Sequence, residues 1–317
     1  MRALVTGAAG FIGSAVAAAL VADGHDVVGL DAFSDAYERW RKEENLRPLR
    51  GHPGFRSIEA DLVAFDLSTV VGSVDVVFHL AAQAGVRPSW GDRFARYVEE
   101  NVVATHCLLD ACRRARRPPR VVFASSSSVY GDPGAGPSAE DDVLRPRNPY
   151  GVTKVAGEDL FRVYAASWDV PSVLLRLFTV YGPGQRPDMA TFRLVEAALG
   201  GPPFPLYGDG TQRREFTYVG DVVRAFQLAA TADLGPATAL NVAGGSSVPM
   251  TELIERVGIA AGAPVPVERR HAEPGDVAVT AADIRRTTSR LGWTPVVGLD
   301  DGLRAQVAWH REVRARV

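Results

Sequence analysis

Lysine is the scarcest feature of this chain. Of its 35 basic residues only Lys42 and Lys154 are lysines, and every other cation is arginine. Cysteine is as rare. Cys107 and Cys112 stand five apart on an expected helix, so they point to different faces. That excludes a disulfide framework and reads as reduced core residues of a cytoplasmic protein. The histidines, at 25, 52, 79, 106, 271 and 310, make no HxxxH or Cys/His cluster, so no protein-bound metal is expected. His79 ends an apolar strand and reads as a core residue. Net charge is only −2, which excludes the basic field of a nucleic-acid binder. No apolar run approaches the roughly 18 residues of a membrane span. The stretch 11–22 is too short and is interrupted by Gly13 and Ser14. A strand beginning at residue 2 leaves no room for a cleavable signal before the fold.

What is present is an ordinary soluble composition, 46% hydrophobic and 23% charged over 317 residues. That length holds one large or two modest domains. Apolar strands are expected at residues 2–6, 26–30, 55–59, 74–80, 120–125 and 172–177. Helical patterns at 12–22, 94–117 and 149–167 alternate with them. Continuous apolar strands between helices predict an α/β fold, a Rossmann-type doubly wound parallel sheet covered on both faces. After Thr179 the alternation degrades and Pro and Gly become dense. Residues 1–179 are therefore expected to form a dinucleotide-binding domain, with returning segments near 215–243. Residues 180–317 mainly form a smaller α/β substrate-binding domain. Residues 131–142 read as a surface loop.

Gly7-Ala8-Ala9-Gly10-Phe11-Ile12-Gly13 follows the first strand and opens a helix. A phosphate-cradling loop needs that context. Gly7 allows the tight turn, Gly10 lets backbone amides approach a pyrophosphate, and Gly13 lets the helix pack on the sheet. The helix N-terminus favours the diphosphate charge. Asp31 ends the second strand, 18 residues after Gly13, where a carboxylate accepts from a ribose diol and repels a 2′-phosphate. Ala32 and Phe33 follow with no adjacent Arg, so the expected cofactor is NAD. Asp61 is placed to meet the adenine, and Ala81 and Ala82 form a small-residue floor.

Tyr150 and Lys154 form a Tyr-x-x-x-Lys unit, which puts both side chains on one helical face. An ammonium there stabilises phenolate and makes a general base for a secondary alcohol. Helices carry such pairs by chance, but Ser125-Ser126-Ser127-Ser128 ends a buried strand 24 residues before Tyr150, counted from Ser126. A hydroxyl cluster at a sheet's carboxyl edge faces the ligand crevice.

With Gly7–Gly13, Asp31, Ser126, Tyr150 and Lys154 in place, the chain resembles the extended short-chain dehydrogenase/reductase family. The resemblance implies oxidation–reduction at a sugar carbon with tightly held NAD, and Ser126 orienting the reacting hydroxyl. It adds Phe11, Ile12, Leu62, Leu80, Asn101 and Phe178 to the cofactor-binding set. Within the family the nucleotide-sugar epimerases look closest, through LAAQAGVR at 80–87, RLFTVYG at 176–182, RPDMA at 186–190 and RREFTYVGD at 213–221. Arg214 then matches the Arg that pairs with a UDP-sugar diphosphate, Pro205 and Tyr207 the uracil site, and Asp276 a nucleotide-binding carboxylate. Glu273 departs from the pattern, standing where galactose-type epimerases place a second phosphate-binding Arg. Arg269 or Arg270 is the expected substitute.

Ser128 occupies the position where the family's dehydratases and decarboxylases carry Asp or Glu, which argues for epimerisation without elimination. Thr179 followed by Arg186 resembles UDP-glucuronate 4-epimerases; galactose-type enzymes more often have Asn at the Thr179 position. A carboxylate at C5 suits an Arg and hydroxyl donors, here Ser127, Ser128, Thr179 and Arg186. Small Thr280 leaves N-acetylated sugars open. The leading expectation is thus an NAD-dependent C4-epimerase acting on UDP-glucuronate. The alternative is a UDP-glucose/UDP-galactose or N-acetylhexosamine 4-epimerase. More remote are another nucleotide-sugar oxidoreductase and a catalytically silent dinucleotide sensor. The resemblance also implies a homodimer, with helices 92–117 and 149–167 pairing across a two-fold axis.

Overall fold

The structure is a computed structural model that describes residues 1–132, 136–271 and 277–316. The strands are β1 (Arg2–Thr6), β2 (Asp26–Asp31), β3 (Phe55–Glu59), β4 (Val76–His79), β5 (Arg120–Ser126), β6 (Ser172–Leu177), β7 (Val180–Tyr181), β8 (Phe204–Tyr207), β9 (Arg213–Glu215), β10 (Thr217–Tyr218), β11 (Thr238–Val242), β12 (Ser247–Pro249) and β13 (Val267–Arg270). The helices are α1 (Phe11–Ala22), α2 (Arg39–Asn45), α3 (Ser68–Val71), α4 (Phe94–Val98), α5 (Ala104–Arg114), α6 (Pro149–Trp168), α7 (Ala190–Ala198), α8 (Val219–Thr231), α9 (Met250–Ala261), α10 (Arg285–Leu291) and α11 (Leu299–Arg314).

Seven parallel strands run in the order β11-β6-β5-β4-β1-β2-β3. Alternate side chains enter opposite cores, as a period of two demands. Val5, Phe78, Val122 and Leu175 pack with α1 and α8 on one face. Leu4, Val77, Phe123 and Leu174 pack with α3, α5 and α6 on the other. The strand order reverses between β1 and β4, so a crevice opens at their carboxyl ends, where doubly wound sheets bind ligands. The chain leaves the sheet after β6 and returns through α8 and β11. A separate core of α7, α9, α11 and β8 lies beyond it, with small two-stranded sheets β10–β7, β12–β9 and β13–β8.

Two expectations change. The single helix expected over 94–117 is broken by a π-helical turn at Glu99–Val103 and stops at Arg114, before Pro118 and Pro119. The π turn aims the Asn101 amide at Gln83 and Thr153. The loop expected on the surface at 131–142 is partly internal; residues 133–135 of it lie outside the described residues. Ser138 and Glu140 are buried because Asn241 of β11 donates its backbone N–H to Glu140 Oε1 and its side-chain amide to Ser138 O. Cys107 and Cys112 are free thiols, and burial pushes Cys112 up to about 12. Among the described residues no helix is long and apolar enough to cross a membrane, and no His, Cys, Asp and Glu cluster could hold a metal ion.

Candidate active site

The crevice is built first by glycine. Gly7, at φ 70°, donates its N–H to Leu30 O at 2.8 Å. A Cβ on Gly13 would lie 2.1 Å from Gly7 O, and one on Gly7 would meet Ala81 N at 2.8 Å. The turn, α1 and the end of β4 therefore approach each other with no room for side chains. The N-terminus of α1 is left facing the crevice, which fits a dinucleotide diphosphate. Phe11 is buried, and Ile12 packs against the same core.

Asp31 is held ready at the end of β2. Its Oδ2 accepts from Ala9 N at 3.0 Å and its Oδ1 from Phe33 N at 2.8 Å. Although no Arg neighbours it in sequence, α2 brings buried Lys42 to 3.5 Å from Oδ1. Sequence reasoning missed this lysine. The signal was its rarity, since both lysines of the chain lie in the crevice. A carboxylate and an ammonium side by side offer a ribose diol an acceptor and a donor. On the β3 side, Asp61 is exposed and accepts from Val63 N, and Leu62 is buried beside it. Leu80, Ala81 and Ala82 line the switch point and are partly exposed.

Beneath them His79 is neutral, pushed down to about 3 by burial and then by the Lys154 charge. Thr105 donates its hydroxyl to Asn101 O, so it accepts from His79 Nε2 at 3.0 Å. His79 Nδ1 then accepts from Thr6 Oγ1 at 2.8 Å, and Thr6 Oγ1 accepts from Ala81 N. Asn101 accepts from Gln83 N and donates to Gln83 O and Thr153 Oγ1. Its amide is thus engaged with protein, tying the end of β4 to α6. Phe178 is buried against Tyr130, so its ring belongs to the core.

The expected reacting groups, Ser126, Tyr150 and Lys154, lie on β5 and α6. Asn148 caps α6 by accepting from Gly151 N at 2.8 Å, and Pro149 fixes the first turn. A Cβ on Gly151 would meet Ser128 O at 2.5 Å, so the helix start lies directly on the serine cluster. Ser126 Oγ accepts from Ser128 N at 3.1 Å. Lys154 is 4% exposed. Its Nζ donates to Ala124 O at 2.8 Å and lies 5.9 Å from the Tyr150 ring centre. Burial lowers the ammonium to about 7, with the Glu158 carboxylate acting against it. Burial raises the Tyr150 phenol above its ordinary value, while the Ser126 hydrogen bond and the Arg186 charge pull it down. The expected lowering by Lys154 is therefore not the controlling influence. The ammonium is directed at the β5 carbonyl, and the phenol's helpers are Ser126 and Arg186. Glu158, one turn after Lys154, is fully buried between Arg176, Ser125 and Arg162.

On the far wall, Arg186 makes a two-point pair with Asp188. Thr179 sits partly exposed between β6 and β7, and its backbone oxygen accepts from Thr217 N. Ser127 and Ser128 are partly exposed. Pro205 and Tyr207 lie on β8, with the Arg87 guanidinium 4.0 Å from the Tyr207 ring centre. Arg214 on β9 donates to Arg213 O. Thr280 accepts from Glu215 N, so its hydroxyl is engaged. β13 sets exposed Arg269 and Arg270 beside Leu206 and Tyr207. Asp276 and Glu273 lie outside the described residues.

Known proteins share this fold. Residues 3–243 match the NAD dependent epimerase/dehydratase family. The chain is 40% identical to YtcB of Bacillus subtilis, described as an uncharacterized UDP-glucose epimerase, over 98% of both chains. The UDP-glucuronic acid 4-epimerase of Bacillus cereus, solved with UDP-glucuronic acid and NAD, superposes with a TM-score of 0.95 at 38% identity, covering 99% of this chain and 100% of that one. MoeE5, solved with NAD and either UDP-glucuronic acid or UDP-glucose, superposes at 0.89 with 44% identity, over 99% of this chain and 100% of its own. The chain belongs to the NAD dependent epimerase/dehydratase family.

Proposed function

We propose that the protein is an NAD-dependent isomerase that inverts C4 of a UDP-sugar, converting UDP-glucuronate to UDP-galacturonate through a 4-keto intermediate. One observation carries the reading. Ser126 at the end of β5 meets Tyr150 and Lys154 of α6 where Gly151 lies against Ser128 O, with Lys154 Nζ 5.9 Å from the Tyr150 ring centre and the Arg186 charge pulling the phenol down. The Bacillus cereus enzyme adds support, since it carries UDP-glucuronic acid and NAD in the same fold.

Bound NAD supplies the hydride acceptor and, later, the donor. Tyr150 takes the O4 proton as the alcohol is oxidised, with Ser126 holding that hydroxyl. Lys154, fixed on Ala124 O with its Nζ 5.9 Å from the Tyr150 ring centre, positions the base from within α6. The 4-keto sugar swings about its link to the diphosphate and presents its other face, and Tyr150 returns the proton. A 4-keto uronate is a β-keto acid and loses CO2 readily when its carboxylate stands perpendicular to the ketone. Arg186, Thr179, Ser127 and Ser128 hold the carboxylate away from that orientation, and Ser128 offers no acid for elimination. In this reading residues 1–179 hold NAD and residues 180–317 mainly hold UDP, with Arg214, Pro205, Tyr207 and Asp276 on the nucleotide. Lys42 and Asp31 hold the adenosine ribose.

A second reading, a neutral UDP-hexose, has its own support: MoeE5 binds UDP-glucose as well as UDP-glucuronic acid. Purified protein given each sugar nucleotide without added NAD separates the two. Arg186→Ala is expected to lower kcat/KM on the uronate about a hundredfold, and much less on UDP-glucose, because a charge-assisted two-point pair is lost only with the acid. Equal losses on both would remove Arg186 as the carboxylate partner.

We also place the enzyme in the cytoplasm as a homodimer. The free thiols fit a reducing compartment. Phe94, Val103, Val152 and Val163 stand exposed on the α4, π-turn and α6 surface, an apolar face that a second copy would cover. Val163→Asp should give a monomer by light scattering. A parent protein that is already monomeric, or an aspartate variant that stays dimeric, would rule this face out.

A further inference from the structure

A cleft that grips a uronate with an arginine has a difficulty when the sugar is neutral, because the guanidinium is then left without its anion. The loop after β7 contains the answer. Arg186 Nε lies 3.1 Å from Asp188 Oδ1, and Nη2 lies 3.1 Å from Oδ2, the same fork geometry that a substrate carboxylate would use. The backbone around this pair is fixed. Buried Gln185 donates to Val180 O at 2.9 Å and accepts from Gln306 Nε2 at 2.7 Å, and Met189 N closes a turn onto Arg186 O at 3.2 Å. The two side chains of the pair differ in exposure. The Arg186 side chain is 22% exposed and the Asp188 side chain 53% exposed. Asp188 can turn into water when displaced, whereas Arg186 stays in the cleft.

We propose that Asp188 is a stand-in carboxylate for Arg186: it occupies the fork when the sugar is neutral or absent and yields it to a uronate, and so sets the preference between acidic and neutral sugars. This rests on the uronate reading given above. Without Asp188, a neutral sugar leaves Arg186 facing the site with its charged hydrogen bonds unmade, which is unfavourable. A uronate, in contrast, no longer has to displace a competing anion. Asp188 therefore broadens specificity and weakens the grip on the acid.

The test is Asp188→Asn, with kcat/KM measured on UDP-glucuronate and on UDP-glucose beside the parent enzyme. The expected result is opposite movement, up on the uronate and down on the neutral sugar, so that their ratio rises about tenfold or more. A merely structural stitch in the loop lowers both together, and Asp188→Glu, which restores the anion, should return the ratio toward the parent's. Parallel losses, or an unchanged ratio, overturn the proposal while leaving the uronate reading intact. A parent enzyme that makes no UDP-galacturonate overturns the reading itself, and the proposal with it.

Discussion

Tyr150→Phe leaves a protein that folds and holds NAD yet turns over its sugar nucleotide roughly a hundred to ten thousand times more slowly, the usual contribution of a positioned acid–base group. The substitution removes one hydroxyl and nothing else. The ring keeps its edge-on contact with Tyr97, at 6.3 Å between centres, and its place above the Lys154 ammonium. The helix cap at Asn148 does not involve the side chain, so α6 starts where it did. Product formation should be followed with saturating substrate, and bound dinucleotide released and quantified in the same preparation. Retained NAD with lost turnover assigns the hydroxyl to proton transfer. Turnover within about threefold of the parent would remove Tyr150 as the base, since no general base contributes so little.

The environment of that hydroxyl matters as much as its presence. Burial raises the phenol and lowers the neighbouring ammonium to about 7, so both groups of the pair are destabilised in their charged forms. Ser126 and Arg186 work against this on the phenol, and Glu158 works against it on the lysine. The charge balance of the Tyr150 and Lys154 pair thus depends on groups drawn from β5, α6 and the loop after β7. A substitution at any of them reaches the base through its charge balance.

The parts of this site legible in the sequence are those made by residues near one another in the chain. The glycine loop, the end of β2 and the Tyr-x-x-x-Lys helix each carry their geometry in a few consecutive residues. What the sequence hid depends on chain segments that meet only after folding. Lys42 reaches Asp31 across a loop, Arg87 crosses from the end of β4 to Tyr207 on β8, and Glu140 enters the core to cap β11. In the sequence Lys42 stands only as one of two lysines, with nothing to join it to Asp31. The direction of the Asn101 amide, at Gln83 and Thr153, is set by the π turn. Periodicity over 94–117 is blind to one extra residue in a turn.

Glu158 carries the largest expected effect on stability. It lies between α6 and the sheet and is fully buried, as is Arg176. Arg176 meets its carboxylate at 2.9 and 2.7 Å, Ser125 at 2.6 Å and Arg162 at 2.6 Å. Burial favours the neutral acid, but the Arg176 hydrogen bonds and charge hold the carboxyl below its ordinary range. Glu158→Ala leaves the Arg176 guanidinium buried without its anion, and removing one partner of such a pair costs about 3–5 kcal/mol. Denaturant unfolding measures this directly, and a loss under about 1 kcal/mol would show that Arg176 finds another partner. Glu158→Leu combined with Arg176→Met should recover most of the loss, because apolar replacement of both members removes the stranded charge. The pH dependence has a definite sign. A carboxyl lowered in the folded state stabilises the fold at pH values above its unfolded value, near 4.5, and that contribution is lost as pH falls through the folded value. The parent protein should therefore lose stability on acidification below about 4.5 more steeply than the double variant, which has no such group to protonate. Identical acid profiles for the two would mean that other carboxylates govern acid unfolding.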